Sequence, residues 1–410
     1  MPFLDLTIPQ IHNVGDDDLN ILKISKYPPI EGGESSNAYW YCKGLGKRGH
    51  KIFVLTNSYE VEDPYREQLT VEDLDKLKPK NVNLYSTNPF EMPGFIPSFN
   101  PITIKLISKG IEILENEDID VIEGSYLLPY GFVAHYLSKQ FDKPLVLTHA
   151  GSDMTRILNS PHYISALKRT ILSANAIVTF PRGASLFTKL GVNKNKVFEI
   201  KKAVDENEFS PKVKKDNLKK LIGKNPTGTI LTHFGKIDSK KGLFELTNAL
   251  SKIKNDYSLI LIGTGIDESE LKQHLTKLGI SERVFFHNFV TPWRVPAIMK
   301  SSDCLLSVEH DFGVNIHGPI LPREALSTGK PVLVSNEINL YHELTEFKDG
   351  IISINPSEPK QYEEKLDYII SNKKELKKIG LNGRKWIEKN NNFNKYLKKR
   401  VEVYETLMRR

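Results

Sequence analysis

The sequence contains no apolar run of about 18 residues or more, and it has only two cysteines in 410 residues. The first absence excludes a helix that spans a membrane, and the second excludes a scaffold held by disulfides. Acidic residues at Asp16, Asp17 and Asp18 stand where a secretory signal would have a basic stretch and an apolar core. We therefore expect a cytoplasmic protein whose cysteines, Cys42 and Cys304, are buried thiols.

Other absences narrow the class of protein. No complete G-x-G-x-x-G follows the first predicted strand, which disfavours a nicotinamide-dependent dehydrogenase, and no low-complexity segment or short solenoid repeat is present. A content of 39% hydrophobic and 26% charged residues is typical of a globular chain. The net charge of +7 is compatible with nucleic acid, anionic lipid or an anionic small molecule, and by itself it does not choose among them.

Short apolar strands separated by helical patterns predict a doubly wound parallel sheet in each half of the chain. The predicted strands cover residues 21–24, 52–55, 119–122, 145–147, 176–178, 230–233, 259–262, 284–286, 304–308 and 332–334. The pattern breaks near residues 204–211. We predict a first Rossmann-like domain over residues 1–205, a second over 206–389 and a C-terminal helix at about 390–410. An apolar stripe should pack that helix back on the first domain; it consists of Leu397, Val401, Tyr404 and Met408.

In sheets of this kind ligands bind at the carboxyl ends of the strands. Gly32 and Gly33 lie between a strand and a helix, where backbone N–H groups would face an anion, although a plain turn is the alternative. In the second half Lys236 and Lys241 flank a strand-to-helix turn and could neutralise a pyrophosphate; two solvated lysines are the alternative. Further strand ends carry either ligand-facing loops or plain turns, at Gly263-Thr264-Gly265 and Asn288-Phe289-Val290.

The order and spacing of these motifs resemble the retaining glycosyltransferases of family 4 from residue 21 to about residue 390. Gly32-Gly33 and Arg48-Gly49-His50 resemble the opening glycines and the RGH of that family, and Val204-Asp205 with Phe209-Ser210-Pro211 resembles its segment between domains. In the second half the similar runs are Gly235-Lys236 to Lys241-Gly242, Gly263-Thr264-Gly265, and residues 324–332 (EALSTGKPV).

The resemblance implies a GT-B fold, α/β in class, in which two Rossmann-like domains face each other across a cleft. It implies that Lys236 and Lys241 bind the diphosphate of a donor in the second domain and that Glu324 accepts hydrogen bonds from the ribose. Residues 288–290 would contact the base. The other implied donor-side residues are Gly32, Gly33, Gly235, Gly263, Gly265, Glu309, Phe312 and Gly313.

The implied reaction is retaining transfer of a hexose or related sugar from a UDP- or GDP-sugar to a hydroxyl acceptor. The acceptor would be a glycan, a lipid-linked molecule or a small metabolite bound by the first domain. The resemblance implies neither a metal nor a cofactor, and nucleic acid is not an expected partner.

Three positions depart from the pattern of the family. His310 stands at the place of the first of its two glutamates, Ser125 stands where a histidine is common, and the family's HG.D is shifted by one at His149 to Asp153. We predict catalytic roles for His310, Glu123 and His149 beside the two lysines and Glu324. Hydrogen-bonded structural groups are the alternative for Glu123 and His149.

The acceptor side is the least defined by the sequence. Its predicted contacts are Ser125, Tyr126, Asp153 and Phe95. Phe95 belongs to the irregular segment 85–100, which is rich in large apolar side chains and would border the acceptor or contact the inner face of a membrane. An ordered surface loop is the alternative.

Two other functions remain open. A sugar-nucleotide-binding protein with weakened catalysis is suggested by Ser125 and by the altered glutamate pair. An enzyme of the same fold with other chemistry, such as an epimerase, is the second; a sugar phosphorylase is disfavoured because no pyridoxal-phosphate lysine motif is present.

Overall fold

Two parallel β-sheets organise the chain. The computed structural model describes residues 18–61, 65–67, 69–89, 101–311, 313, 319–338 and 343–409. The first sheet has the strand order β3-β2-β1-β4-β5-β6-β7, and the second has the order β10-β9-β8-β11-β12-β13. Every pair of neighbouring strands is parallel.

The elements of the first sheet and its helices are β1 (Asn20–Ile24), α1 (Gly33–Lys47), β2 (Lys51–Thr56), α2 (Val71–Leu77), β3 (Val82–Ser86), α3 (Ile102–Asn116), β4 (Val121–Ser125), α4 (Phe132–Phe141), β5 (Leu145–Thr148), α5 (Ile164–Ser173), β6 (Ala176–Thr179), α6 (Ala184–Thr188) and β7 (Val197–Glu199). The second part consists of α7 (Leu218–Ile222), β8 (Thr229–Phe234), α8 (Leu243–Leu250), β9 (Tyr257–Ile262), α9 (Glu268–Leu278), β10 (Val284–His287), α10 (Val295–Ser301), β11 (Cys304–Ser307), α11 (Leu321–Ser327), β12 (Val332–Ser335), β13 (Ile351–Ile354), α12 (Pro359–Ser371), α13 (Lys373–Asn390) and α14 (Phe393–Met408). None of the described helices combines the length and the apolar character that crossing a membrane requires.

The central strands are apolar on both faces because helices cover both sides of each sheet. All six residues of β9 and all four of β11 are buried. The edge strands β3, β7 and β13 are not among the predicted strands. β7 has three residues, and none of them is buried. The strand order reverses between β1 and β4 and again between β8 and β11. Loops that leave neighbouring strands in opposite directions open a crevice at each of these two points.

The last helix, α14, packs against α1 of the first sheet. The hydroxyl groups of Tyr41 and Tyr404 lie 2.5 Å apart, and a Cβ on Gly44 would lie 2.7 Å from Leu397 Cδ1, so a side chain at position 44 would have to displace Leu397. Leu397, Val401 and Tyr404 are buried as the stripe predicts, but Met408 is 40% exposed. Leu407 is buried in its place because the helix turns that side chain toward the core.

The chain passes between the two sheets at residue 204 and again at residue 391. The side-chain amide of Asn391 donates to the carbonyl of Val204 at 2.8 Å, and its oxygen accepts from the N–H of Val204 at 3.0 Å. Both groups are buried. The two passages are therefore tied together at one point.

A buried ion cluster joins α14 to the first sheet. Glu123 of β4 is fully buried and accepts hydrogen bonds from Lys23 of β1 and from Arg400 and Tyr404 of α14. Burial alone would raise the pKa of Glu123, but Arg400 and Lys23 outweigh it and lower that pKa to about 2. The carboxylate therefore stays ionised between its two cations.

Replacing Glu123 by leucine would leave Lys23 and Arg400 buried without their anion. Removing one partner from a buried ion pair costs about 3–5 kcal/mol, so the free energy of unfolding in urea should fall by that amount. Tyr404→Phe is the control, because it deletes one hydrogen bond to the same carboxylate and should cost about 1 kcal/mol. Equal losses in the two variants would show that Glu123 does not compensate the cations.

Candidate active site

A cleft of about 580 Å³ lies between the carboxyl ends of the two sheets. From the first domain it is lined by Gly32, Gly33, Ser125, Tyr126 and His149, and from the second by Gly235, Lys236, Lys241, Phe289, Val290, Glu309 and Glu324. The structure thus brings together most of the residues that the sequence predicts for the site.

The loops after β8, β9 and β11 pack backbone against backbone on the second-domain side. Gly263 has a φ of +149°, and a Cβ there would lie 1.9 Å from the carbonyl oxygen of Gly235. Gly242 has a φ of +68°, and its Cβ would lie 1.9 Å from the carbonyl oxygen of Val308. Only glycine fits either position. These glycines shape the wall of the cleft without lining it themselves.

Each of the two predicted lysines is paired with a carboxylate. Lys241 ends a 3-10 turn just before α8, and its Nζ lies 3.1 Å from Glu309 Oε1. Lys236 follows β8, and its Nζ lies 3.2 Å from Glu31 Oε1, which belongs to the first domain. The Lys236–Glu31 pair therefore spans the cleft.

Glu324 lies in the first turn of α11 and is 7% exposed. Its carboxylate has no hydrogen-bond or ionic partner among the residues that the structure describes, and it lines the cleft. Burial raises the pKa of Glu324 to about 8. The group is therefore largely protonated at neutral pH, and hydrogen-bond donors from a ligand would favour its ionised form.

His149, at the end of β5, is buried and lines the cleft. Its Nε2 lies 2.8 Å from Thr179 Oγ1, and burial lowers its pKa to about 4, so the ring is neutral. Ser125 is bonded to Thr148 across the neighbouring strands, with 2.5 Å between the hydroxyl oxygens. Tyr126 follows with a positive φ of 71° and reaches Ser152.

Three of the predicted ionisable residues do not line the cleft, namely Glu123, Asp153 and His310. Glu123 lies in the buried ion cluster, and its contacts there fit the structural role that the sequence left open as the alternative. Asp153 accepts hydrogen bonds from the N–H groups of Leu127 and Ala150, both at 3.1 Å, and thereby fixes the loops after β4 and β5 instead of contacting an acceptor. Burial raises the pKa of Asp153 to about 7.

His310 is the third. Its Nδ1 lies 3.4 Å from Glu245 Oε1 of α8, on the side away from the cleft. Glu309 faces the cleft in its place, because successive residues leaving a strand point to opposite sides. Gly263, Gly265, Asn288 and Gly313 are also absent from the lining, and Phe312 and Phe95 lie outside the described residues.

The structure also places residues in the cleft that the motifs did not indicate. Glu31 and Glu67 are buried on the first-domain side, and Oε2 of each has no hydrogen-bond partner within the described part of the chain. Burial, with the nearby Glu31, raises the pKa of Glu67 well above its usual range. Lys23 and Arg400 line the floor of the cleft on the side of the first domain. In the sequence, Lys23 within the apolar run of β1 was the only sign of this polar floor.

One group of described side chains has the composition of a metal site. Potential ligand atoms of His310, Asp311 and Glu337 all lie within 4.8 Å of one another. Asp311 and Glu337 are exposed, and none of the three residues lines the cleft. Exposed acidic groups often cluster without binding an ion, so we assign no metal to this group.

Comparison with known proteins places the chain in a family. The sequence profile named Glycosyl transferases group 1 matches residues 214–386, and the profile Glycosyltransferase Family 4 matches residues 32–208. The chain is a group 1 glycosyltransferase of family 4 type. An uncharacterized glycosyltransferase of Methanocaldococcus jannaschii is 23% identical over 400 residues, which are 93% of this chain and 97% of that protein.

Two further similarities extend over most of this glycosyltransferase. The N-acetyl-alpha-D-glucosaminyl L-malate synthase of Bacillus anthracis is 26% identical over 76% of the chain and 77% of its own length. The crystal structure of Anabaena HepE in complex with UDP and glucose has a TM-score of 0.71 at 17% identity, and the match covers 95% of this chain and all of HepE. This likeness confirms the predicted GT-B fold.

Gly263→Ala tests whether the loops around the cleft are packed as closely as the structure shows. The added methyl group would collide with Gly235 and strain the backbone, so the free energy of unfolding should fall by about 1–3 kcal/mol. Gly279→Ala is the matched control. Gly279 also has a positive φ, of +71°, but a Cβ there would meet nothing within 4 Å. It should cost only about 1 kcal/mol. Equal losses in urea unfolding would show that the loops have room.

Proposed function

We propose that this glycosyltransferase moves a hexose or related sugar from a UDP- or GDP-sugar to a hydroxyl acceptor, with retention of configuration and without a metal. The observation that carries the proposal is the placement of Lys236, Lys241 and Glu324 around the second-domain half of the cleft. Two cations suit a diphosphate, and a carboxylate that has no partner among the described residues suits a ribose. The HepE complexes with UDP and with UDP-glucose support a uridine nucleotide.

The chemistry follows from the charge of the leaving group. Breaking the bond between sugar and diphosphate concentrates negative charge on the diphosphate, and fixed positive groups stabilise it most when they are oriented beforehand. Lys241 would supply that charge after leaving Glu309, and Lys236 after leaving Glu31. The positive charge that stabilises the leaving diphosphate would therefore come from the protein's own side chains.

The first domain would bind the acceptor, with Ser125, Tyr126 and His149 facing it. His149 is neutral and already bonded to Thr179, so it would orient hydroxyl groups and not donate a proton as an imidazolium. Glycans, lipid-linked molecules and small metabolites all offer a suitable hydroxyl. The position of His310 outside the cleft keeps a second candidate, a sugar-nucleotide-binding protein without transfer activity. Hydrolysis of the donor in the absence of acceptor separates an active enzyme from such a protein.

Lys241→Ala should lower kcat/KM by more than about tenfold, which corresponds to about 1.4 kcal/mol of lost transition-state stabilisation. The donor would first be identified by calorimetry against a panel of nucleotide diphosphates and nucleotide sugars, and hydrolysis and transfer would then be followed by release of the nucleotide. Lys240→Ala is the control, since Lys240 is the exposed neighbour and does not line the cleft. Wild-type rates in Lys241→Ala would refute the diphosphate assignment.

Glu324 should lose a proton when it binds the ribose of a nucleotide sugar. Because its pKa is about 8 in the free protein and donors from the ribose would lower it, affinity should rise between about pH 6 and 8 by up to about tenfold per pH unit. Calorimetry with UDP-glucose and GDP-mannose at pH 7, in two buffers of different ionisation enthalpy, measures the proton released. Glu324→Gln should bind either nucleotide sugar more weakly and without proton release. Unchanged affinity in this variant would contradict the role of Glu324.

A further inference from the structure

The floor of the first-domain half of the cleft is a row of polar side chains at the ends of four neighbouring strands. Lys23 of β1, Ser125 of β4, Thr148 of β5 and Thr179 of β6 all line the cleft there. Lys23 Nζ donates to Ser125 Oγ, and Ser125 is bonded to Thr148. The four residues therefore form a polar surface across the neighbouring strands β1, β4, β5 and β6.

This floor carries an uncompensated positive charge. Lys23 and Arg400 are 4% and 5% exposed and both line the cleft, but they share one anion, Glu123, which lies beneath them. The neighbouring Lys202 is paired with Glu34 at 3.2 Å, so this pair adds no net charge. One positive charge is thus left without a counter-ion. Burying such a charge lowers the free energy of unfolding.

The floor also has hydrogen-bond donors to spare. An ammonium group has three N–H donors, and the hydrogen bonds of Lys23 in the described part of the chain go to Glu123 and Ser125 only. The Nε of Arg400 has no acceptor among the described residues. His149, at the side of the same floor, is neutral and adds no charge to it. Spare donors and a surplus positive charge both favour an anionic ligand.

We propose that Lys23 and Arg400 bind an anionic group of the acceptor, a carboxylate or a phosphate. This inference rests on the proposed transferase function, because it takes the first-domain floor as the acceptor side. The nucleotide diphosphate would be bound elsewhere, by Lys236 and Lys241 of the second domain. The acceptor would then carry both the hydroxyl that receives the sugar and an anionic group that anchors it.

The test is calorimetry of small hydroxyl compounds with the full-length protein saturated with UDP, which occupies the diphosphate site. L-malate represents a carboxylate, glycerol 3-phosphate represents a phosphate, and glycerol is the neutral comparison. We expect at least one of the two anions to bind at least tenfold more tightly than glycerol. Which of them binds more tightly identifies the source of the charge. Failure of both anions to bind more tightly than glycerol would overturn the proposal, and this comparison needs no variant.

Lys23→Met assigns the binding to the floor. Glu123 keeps Arg400 and Tyr404 as partners in this variant, so the ion cluster becomes neutral and only the surplus charge is removed. Affinity for the preferred anion should fall at least tenfold while affinity for UDP stays unchanged. Lys105→Met is the control, because Lys105 is a partly buried lysine that pairs with Glu60 outside the cleft.

The outcomes separate the two proposals. Anion affinity equal to wild type in a folded Lys23→Met protein would overturn the assignment to the floor. Failure of the wild-type protein to bind UDP or any nucleotide sugar would overturn the proposed function instead.

Discussion

The carboxylate of Glu123 lies between two cations that come from opposite ends of the chain. Lys23 is on the first strand and Arg400 is on the last helix, so this one buried group connects β1, β4 and α14. Its pKa of about 2 keeps it charged over the whole range in which the protein is expected to function. The position of α14, and with it the floor of the cleft, depends on this contact. A group that looks catalytic in the sequence, because it precedes a strand end, thus has a structural role.

The fold was largely predictable because burial on both faces leaves a plain signal of short apolar runs. The edge strand β7 escaped prediction because it is short and partly exposed. In the site, the lysines and Glu324 could be found from motifs whose spacing is fixed by strand-to-helix turns. The motifs could not show which of Glu309 and His310 faces the cleft. That depends on the direction in which each side chain points as the chain leaves β11. Likewise, the burial of Asp153 depends on loops that the sequence does not position.

Several charges in the cleft are paired with each other in the protein without substrate. Lys236 pairs with Glu31, Lys241 with Glu309 and Lys202 with Glu34, while Glu324 has no such partner within the described residues. A charged substrate that bound to these residues would exchange ionic partners with them, and its net free energy of binding would be the difference between two sets of contacts. A ligand with too little charge gains less from Lys236 or Lys241 than it costs to displace the carboxylate. Charge would therefore be one basis on which this cleft selects its substrates.

The two hydrogen bonds between Asn391 and Val204 constrain how the two domains can move relative to each other. Both passages of the chain between the sheets go through this one point, and the amide fastens them to each other with two buried hydrogen bonds. Sliding of one domain along the other would stretch both passages at once, whereas a swivel about an axis through Asn391 leaves them nearly unstrained. A motion of one domain relative to the other would therefore have few degrees of freedom. A swivel of this kind would bring the wall that carries Lys236 and Lys241 toward the floor and away from it along a single arc.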